Sequence, residues 1–171
     1  MSMAGAGSAD AERHGTRLAE GGDVPVVTEA PISLGEAERV GRRRERLVLT
    51  AEERRWGRRR VRTEEGRELV LALPTGSVLI PGDVIYRGPD WYAVVDAAQE
   101  PVIAVTPRCR DESIRIAFEV GNRHFTLAIA GDRLLVLDDP AMEQLVTRLG
   151  VEWTRTRAVF NPVGTGHRHD A

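Results

Sequence analysis

Apolar and polar residues alternate over short runs in the first half of the chain. Turns that contain glycine and proline, such as residues 74–76 (PTG) and 81–83 (PGD), separate these runs about every eight to twelve residues, a spacing typical of small all-β folds. The pattern therefore predicts a small barrel or sandwich. Its predicted strands are 24–34 (an edge strand, because two prolines interrupt it), 47–49, 58–63, 68–73, 77–80, 84–86 and 91–96, with one helical turn at 50–53 and an arginine-rich connection at 35–46.

The apolar period changes after Glu100 and predicts two helices among four strands. Residues 111–120 have the helical period, and a second helix is expected to begin after Asp139, which can cap it, with Pro140 in its first position and Gly150 at its end. The order strand, helix, strand, strand, helix, strand is that of the ferredoxin-like fold, in which two helices cover one face of a four-stranded sheet. The predicted strands are 102–106, 124–130, 133–137 and 151–159.

These patterns predict an α+β protein in which a small all-β domain precedes a ferredoxin-like domain. The predicted boundaries are a disordered leader at 1–23, a β-rich domain at 24–98, the ferredoxin-like domain at 99–160 and a flexible tail at 161–171. The leader is small and polar, without a period of either kind.

Two strands of the second domain are apolar on both faces. Residues 102–105 and 134–137 are continuous apolar runs, whereas a sheet with helices on one face only should be polar on the other. We therefore expect a second copy of the chain to cover the free face. Packing of the N-terminal domain against this face is the alternative.

The composition of the chain indicates the cellular compartment that suits the protein and the classes of function that are not expected of it. The single cysteine, Cys109, excludes an intrachain disulfide and suits a reducing cytosol. No apolar run approaches the ~20 residues that cross a bilayer, and the leader lacks the apolar stretch of a signal peptide. A soluble, cytoplasmic protein without membrane contact is expected. The sequence has no phosphate-binding glycine loop and no spaced set of hydrolytic ligands, so an enzyme is not expected.

The net charge of −2 conceals a basic segment. Residues 39–67 contain twelve arginines and five glutamates. Such a segment can meet an acidic protein surface or nucleic acid, and a nucleic-acid-binding module is the alternative function. Trp56 is its only aromatic residue, which argues against stacking on bases.

One of the four histidines, His124, lies in a strongly patterned segment. Gly121 and Asn122 are suited to end the first helix and to turn the chain, so His124 is predicted to begin a strand on its small-residue side. A two-fold axis at that face would bring two copies of His124 together. An ordinary histidine whose ring nitrogens bond to backbone or water is the plainer alternative.

Three segments in order resemble the UreE family of urease accessory proteins, which are nickel metallochaperones. They are LVLTAEERRWGRRRVRTEEGRELVLALPTGSVLIPGD at 47–83, GNRH at 121–124 and FNPVGTGHRHD at 160–170. The likeness spans residues 26–170. It implies a peptide-binding-like β domain, a ferredoxin-like domain that dimerises, and nickel bound at the dimer interface by the histidine of GNRH from each subunit, here His124.

The resemblance extends to the tail and to partners. His167 and His169 match the histidines of the family's C-terminal segment, although long histidine tracts are missing here. Imidazole suits Ni²⁺, and Zn²⁺ or Cu²⁺ are possible competitors. Two His124 rings supply two donors, so tail residues or water must supply the others. The plainer alternative is a tail without function, and roles for Cys109 and Asp170 stay open. The implied partners are the GTPase of the urease accessory system and, through it, apo-urease.

Overall fold

The structure is a computed structural model that describes residues 24–164. Within this range, no helix is both long enough and apolar enough to span a lipid bilayer. The strands are β1 (Val26–Val27), β2 (Arg43–Leu49), β3 (Arg58–Arg62), β4 (Glu68–Ala72), β5 (Val84–Arg87), β6 (Trp91–Ala97), β7 (Gln99–Thr106), β8 (Ala128–Ala130), β9 (Arg133–Leu137) and β10 (Glu152–Val159). The helices are α1 (Glu36–Arg39), α2 (Arg110–Gly121) and α3 (Pro140–Leu149), and a 3₁₀ turn lies at Glu53–Arg55.

The first six strands form two three-stranded sheets that pack face to face. Their orders are β1-β4-β3 and β2-β6-β5, and β1 is an edge strand, as predicted. One buried cluster fills the space between the sheets, because alternate residues of β2, β4 and β6 point inward. The predicted small all-β domain is confirmed, and of the two expected forms, barrel or sandwich, it has the sandwich. The cluster contains Val27, Leu47, Leu49, Leu69, Leu71, Leu73, Leu79, Ile85, Trp91, Ala93 and Val95.

The basic segment departs from the predicted pattern at Glu45, which is buried in β2. Thr63 donates a 2.9 Å hydrogen bond to its Oε2. The Nε of Arg67 lies 2.8 Å from Oε1, close enough for an ion pair although not oriented for a hydrogen bond. Because the charge is paired in this way, β2 begins at Arg43, four residues before the predicted start, and the polar run is part of the sheet.

The predicted strand at 77–80 was wrong. Leu79 is buried, but its amide donates to the carbonyl of Arg54 at 2.8 Å, and the amide of Ile80 donates to Oδ2 of Asp83 at 2.8 Å. Residues 77–80 therefore form a loop between two turns, and Leu79 packs into the core from that loop. Helix α1 was also missed, since it lies in the predicted arginine-rich connection.

The second domain has the predicted ferredoxin-like topology. Its sheet has the order β10-β7-β9-β8 with every neighbour antiparallel, and α2 and α3 pack on one face. Asp139 caps α3 by accepting a 2.7 Å hydrogen bond from the amide of Ala141, and Gly150 ends the helix with a φ of 67°. The helix-side cluster contains Ile103, Val105, Ile116, Val120, Leu134, Val136, Met142, Leu145, Val146 and Val151.

The opposite face of this sheet is covered by the chain itself. Ala51, from the loop after β2, and Phe160, which follows β10, are both buried against Val102, Ala104 and Leu135. The expectation that a second copy covers this face was wrong, and packing by the N-terminal domain was the correct alternative. The face opposite the helices is therefore covered within one chain, by Ala51 of the N-terminal domain and by Phe160 at the end of the second domain.

The start of α2 is held by a carboxylate clamp. Glu112 accepts hydrogen bonds from the backbone amide of Arg108 at 2.7 Å and from the guanidinium of the same residue at 2.7 Å. These bonds, with the nearby positive charge, lower the pKa of Glu112 from 4.5 to about 2. The carboxylate also lies in the first helical turn, where the helix dipole favours negative charge.

This clamp predicts a pH-dependent contribution to stability. Because its folded pKa is depressed, Glu112 stabilises the fold fully above pH 4.5, and this contribution is lost as the pH falls toward 2. The difference in free energy of unfolding between wild type and Glu112→Gln should therefore be largest near neutral pH and shrink below pH 4.5. Urea unfolding at several pH values measures it. Glu152→Gln, at an exposed glutamate without an ion pair within residues 24–164, is the control; a constant difference for Glu112→Gln would contradict the clamp.

Candidate metal centre

His124 lies in the turn that follows α2 and is exposed to solvent. The amide of Phe125 donates to the carbonyl of Val120 at 3.3 Å, and the amide of His124 donates to the carbonyl of Gly121 at 2.9 Å. These two bonds define a Schellman helix end, in which the residue at the position of His124 is left-handed and is usually glycine. The usual apolar contact across such an end is provided by Phe125 and Val120, which belong to one cluster.

The backbone of His124 is the notable feature of this turn. Its φ is 59°, and among residues 24–164 it is the one residue other than glycine with a positive φ. A side chain in this region costs on the order of 1 kcal/mol, although histidine tolerates it better than most residues. Backbone geometry alone therefore does not explain a histidine at this position, which favours glycine.

Two parts of the predicted corner were wrong. Gly121 is the last helical residue and Asn122 has a φ of −63°, so neither makes the left-handed turn. Strand β8 begins at Ala128, and His124 therefore does not lie on a sheet face. The predicted alternation holds further along: Phe125 and Leu127 pack on the helix side, and Ala128 on the opposite side.

The imidazole of His124 is free to bind within the part of the chain described here. It has no hydrogen bond or ion pair with any residue in 24–164. The neighbouring Arg123 points back along the helix, where its Nη1 lies 2.6 Å from Oε2 of Glu119. The arginine charge is thus paired beside the histidine, and neither ring nitrogen is occupied by a described partner.

Helix α2 presents an apolar stripe that leads to this turn. Its buried side carries Ile116 and Val120, while Ile114 and Phe118 are 57% and 67% exposed on the other side. Residues four apart lie on one face of a helix, so Ile114, Phe118 and Asn122 follow one line toward His124. We refer to Ile114 and Phe118 as the α2 stripe. Exposed neighbouring apolar side chains of this size indicate an interaction surface.

One described copy of the chain does not assemble a complete metal site. No group of three or more histidine, cysteine, aspartate or glutamate side chains is placed to hold an ion within residues 24–164. Cys109 is exposed at the N-cap of α2, and the twelve-residue helix, about 18 Å long, separates it from the turn at His124. The predicted ligands His167 and His169, and also Asp170, lie outside the described residues.

The chain leading into the tail lies beside β8. Pro162 pairs with Ala128, and the amide of Val163 donates to the carbonyl of Leu127 at 2.8 Å. Val163, which precedes the last described residue, Gly164, is therefore bonded to a residue that lies three positions after His124 in the chain. This contact was not predicted from the sequence, because 161–171 has no strand pattern.

Many arginines of the basic segment have partners within the domain. Arg46 pairs with Glu64 and Asp96, and Arg60 and Arg62 both pair with Glu68. Arg59 stacks over Trp56 at 3.6 Å from the ring centroid, so the indole is already covered by a cation. The free positive charge is smaller than the arginine count indicated, and the nucleic-acid alternative gains no support.

Comparison with known proteins gives a consistent result over both domains. A family model described as UreE urease accessory protein, N-terminal domain, matches residues 33–98, and one described as UreE urease accessory protein, C-terminal domain, matches residues 100–171.

Individual relatives agree with the family models. The urease accessory protein UreE of Ralstonia nicotianae is 37% identical over 143 residues, which cover 81% of this chain and 68% of the relative. That of Deinococcus radiodurans is 45% identical over 116 residues, covering 67% and 74%. That of Bordetella pertussis is 41% identical over 129 residues, covering 72% and 63%, so the chain spans less than two thirds of this relative. A bifunctional urease accessory protein UreEF of Bordetella bronchiseptica is 41% identical over 129 residues, which are 30% of its length.

Proposed function

Since this chain belongs to the UreE family of urease accessory proteins, we propose that it carries Ni²⁺ for assembly of the urease active site and binds the ion between two copies of itself. It acts in this proposal as a cytoplasmic carrier and not as an enzyme. The observation that carries the proposal is His124: an exposed imidazole without a described partner, held by a left-handed backbone at the end of a helix with an exposed apolar stripe.

Nickel fits the ligand that this turn offers. Neutral imidazole is a borderline donor, and Ni²⁺ accepts square-planar or octahedral sets of nitrogen and oxygen ligands. Zn²⁺ and Cu²⁺ bind the same donor and are expected competitors. One His124 ring is too few donors for tight binding, so the proposal requires ligands from a second copy.

The α2 stripe supports a two-fold contact beside His124. Gly121 lies on the same side of the helix as Ile114 and Phe118, and a Cβ built there would meet nothing within 4 Å in the single chain. Glycine in a helix costs about 0.5–1 kcal/mol relative to alanine, and here the chain's own packing does not require it. Close approach of a second α2 would explain it, because the small residue lets two helix ends meet. The two His124 rings then lie near the axis.

His167 and His169 are proposed to complete the ligand set. His167 is four residues beyond Val163, a stretch that reaches up to about 14 Å when extended. His124 is three residues before Leu127, to which Val163 is hydrogen-bonded, and these three residues span at most about 10 Å. The tail histidines are therefore within reach of the His124 ring of the same chain. Ligands on such a segment can leave one at a time, as transfer of the ion to another site requires, whereas a closed rigid set of four ligands holds its metal.

The proposed recipients are the GTPase of the urease accessory system and, through it, apo-urease. The bifunctional UreEF relative supports action beside other urease accessory proteins, because a UreE-like sequence is part of a longer accessory chain there. The exposed arginines of the basic segment whose guanidinium groups have no partner among residues 24–164, such as Arg43 and Arg58, suit an acidic protein surface.

Calorimetric titration of the full chain with Ni²⁺ tests this proposal. We expect one tight event at half an ion per chain, because two copies share the ion. Its affinity should fall as the solution is made acidic, since imidazole ligands must be unprotonated to bind a metal. Zn²⁺ serves as the competing ion. A tight event at one ion per chain, or the absence of a tight event, would contradict the shared site.

A further inference from the structure

Strand β3 lies at an edge of its sheet, and no segment within residues 24–164 pairs with its outer side. It is the last strand in the order β1-β4-β3 and pairs with β4. Two other edge strands are bonded to neighbouring segments: the amide of Ile32 donates to the carbonyl of Val84 in β5 at 2.8 Å, and the amide of Glu64 donates to the carbonyl of Arg46 in β2 at 2.9 Å. An edge that is left open presents its backbone donors and acceptors to any chain that can pair with it.

The register shows which backbone groups of β3 point away from β4. The amide of Leu73 donates to the carbonyl of Gly57 at 2.7 Å, and the amide of Thr63 donates to the carbonyl of Arg67 at 2.8 Å. These bonds place the odd-numbered positions of β3 in contact with the backbone of β4. In an antiparallel pair, such positions alternate with positions whose amide and carbonyl point outward. We refer to the outward-pointing positions as the β3 edge, which consists of Arg58, Arg60 and Arg62.

The β3 edge is strongly basic. Its three side chains point to the outer face of the sandwich, because Val61, which alternates with them, packs against the core cluster. Arg60 and Arg62 share the carboxylate of Glu68, each at 2.8 Å, yet their side chains remain 63% and 65% exposed. The guanidinium of Arg58 has no hydrogen bond or ion pair within residues 24–164. Strand β3 itself contains four arginines and no acidic residue, so Glu68 leaves a net charge of +3.

We propose that the β3 edge docks an acidic, extended segment of a partner protein, which joins the sheet as a further strand. Strand addition gains affinity from backbone hydrogen bonds and specificity from alternate side chains. Carboxylates of the added strand face the three arginines on the outer face, and the residues between them lie on the side of Val61. The inference rests on the proposed function, since it assigns the place and the mode of the contact with an acidic partner.

A second copy of the chain does not fit this edge. Two β3 strands paired in register place arginines opposite arginines, and like charges directly opposite one another are unfavourable in a sheet. The charge of the β3 edge thus opposes pairing with itself and favours a strand that carries carboxylates.

Synthetic peptides test strand addition on the wild-type protein without nickel. The parent is a fluorescent peptide of about ten alternating glutamate and valine residues, and its binding is measured by anisotropy. One variant is N-methylated at every glutamate amide, and the other at every valine amide. Only one set of alternate amides faces β3 in a paired strand, so one variant should bind at least about tenfold more weakly than the parent and the other should resemble it. Equal affinities for the two variants, or no binding of the parent, would overturn the proposal.

Variants of β3 separate the charge from the backbone. Arg60→Gln removes one charge and should weaken binding of the parent peptide about two- to fivefold. Arg60→Pro also removes an outward amide that makes no bond to β4, so the loss should be on the order of tenfold. Arg44→Gln is the matched control, because Arg44 is exposed in β2 and its guanidinium has no hydrogen bond or ion pair within residues 24–164.

The control distinguishes docking from general attraction. Arg44→Gln should bind the peptide as wild type does, and a loss equal to that of Arg60→Gln would overturn the assignment to β3. Circular dichroism checks the fold of each variant. If Arg60→Pro does not fold, the two methylated peptides measure the backbone contribution on wild type.

Hydrogen exchange resolved by residue gives an independent result. When the parent peptide is added, the amides of Arg58, Arg60 and Arg62 should become protected, whereas those of Arg59 and Val61, which are bonded to β4, should change little. Exchange at the three amides that is as slow as at Val61 before any peptide is added would mean that the protein itself occupies this edge, and would overturn the proposal.

A single-stranded RNA of about ten nucleotides is the competing probe. RNA that binds and is lost in Arg60→Gln, while the peptide does not bind, would assign the edge to nucleic acid and overturn the proposal. These assays contain no nickel, so their failure leaves the proposed metal site untouched. Failure of the nickel titration likewise leaves the peptide result unchanged.

Discussion

Replacing His124 by glycine is expected to abolish tight Ni²⁺ binding while leaving the metal-free fold at least as stable as wild type. The variant removes both His124 imidazoles from the proposed shared site. Because loss of an outer-shell partner alone costs 10–100-fold in metal affinity, loss of both central ligands should cost at least about 100-fold. The fold is not expected to suffer, since the backbone of His124 has a φ of 59°, which glycine adopts freely.

His124→Ala separates the two effects. Alanine removes the same ligand but keeps a Cβ in the left-handed region, so it should lose nickel equally and be about 1 kcal/mol less stable than His124→Gly. Calorimetry measures the nickel affinity, and urea unfolding without metal measures the free energy of unfolding. Tight binding that survives in either variant would show that His124 is not a ligand. Equal destabilisation by glycine and alanine would contradict the left-handed turn.

Replacing Phe118 by aspartate is expected to dissociate the proposed dimer without unfolding the subunit. The side chain is 67% exposed in one copy, so the charge is solvated when the chain is alone. At a two-fold contact, each copy loses a buried phenyl group, about 1.5–3 kcal/mol of apolar burial, and two carboxylates approach one another. The dimer dissociation constant should rise by about 100-fold or more, as measured by analytical ultracentrifugation.

Nickel binding should respond to the same substitution because the proposed site is shared between two copies. Phe118→Asp should weaken the tight event and remove its half-ion stoichiometry, although Phe118 has no atom that binds a metal. Val40→Asp is the control, since Val40 is 78% exposed on the N-terminal domain. Phe118→Asp chains that remain dimeric and bind nickel as wild type does would exclude the α2 stripe from the contact.

The sequence predicted the two folds well because both rest on local signals. Regular turns and alternating residues defined the sandwich, and the ferredoxin-like order followed from two amphipathic helices among four strands. Asp139, Pro140 and Gly150 specified α3 through capping chemistry that acts within a few residues, and the structure places each of them as predicted. Rules of capping and periodicity were sufficient for these elements, because the residues that determine each element are neighbours in the sequence.

The corner at His124 was harder to predict because two better candidates precede it. Gly121 and Asn122 are the residues that most readily adopt a positive φ, and a local rule assigns the turn to them. The amides of Arg123 and Phe125 both donate to the carbonyl of Val120, and the second bond, which brings Phe125 into the same apolar cluster as Val120, leaves His124 in the left-handed position. The sequence signal that was available is the spacing of these two apolar residues across the helix end.

Contacts between distant segments escaped sequence reasoning altogether. The apolar face covered by Ala51 and Phe160 was attributed to a second copy, because the pattern shows that a face is covered but not by what. Arg54 was one of twelve arginines in the basic segment, and nothing in its neighbours distinguishes the buried one from the solvated ones. The roles of His167 and His169 stay predictions that rest on the family resemblance and on the reach of the tail.

A nickel anomalous-scattering map from crystals of the full chain grown with Ni²⁺ tests the shared site most directly. The account predicts one strong peak for every two chains, lying between the imidazoles of two His124 residues and beside two α2 helices. A strong peak in each chain away from His124, or two His124 rings that face different neighbours with no ion between them, would contradict it.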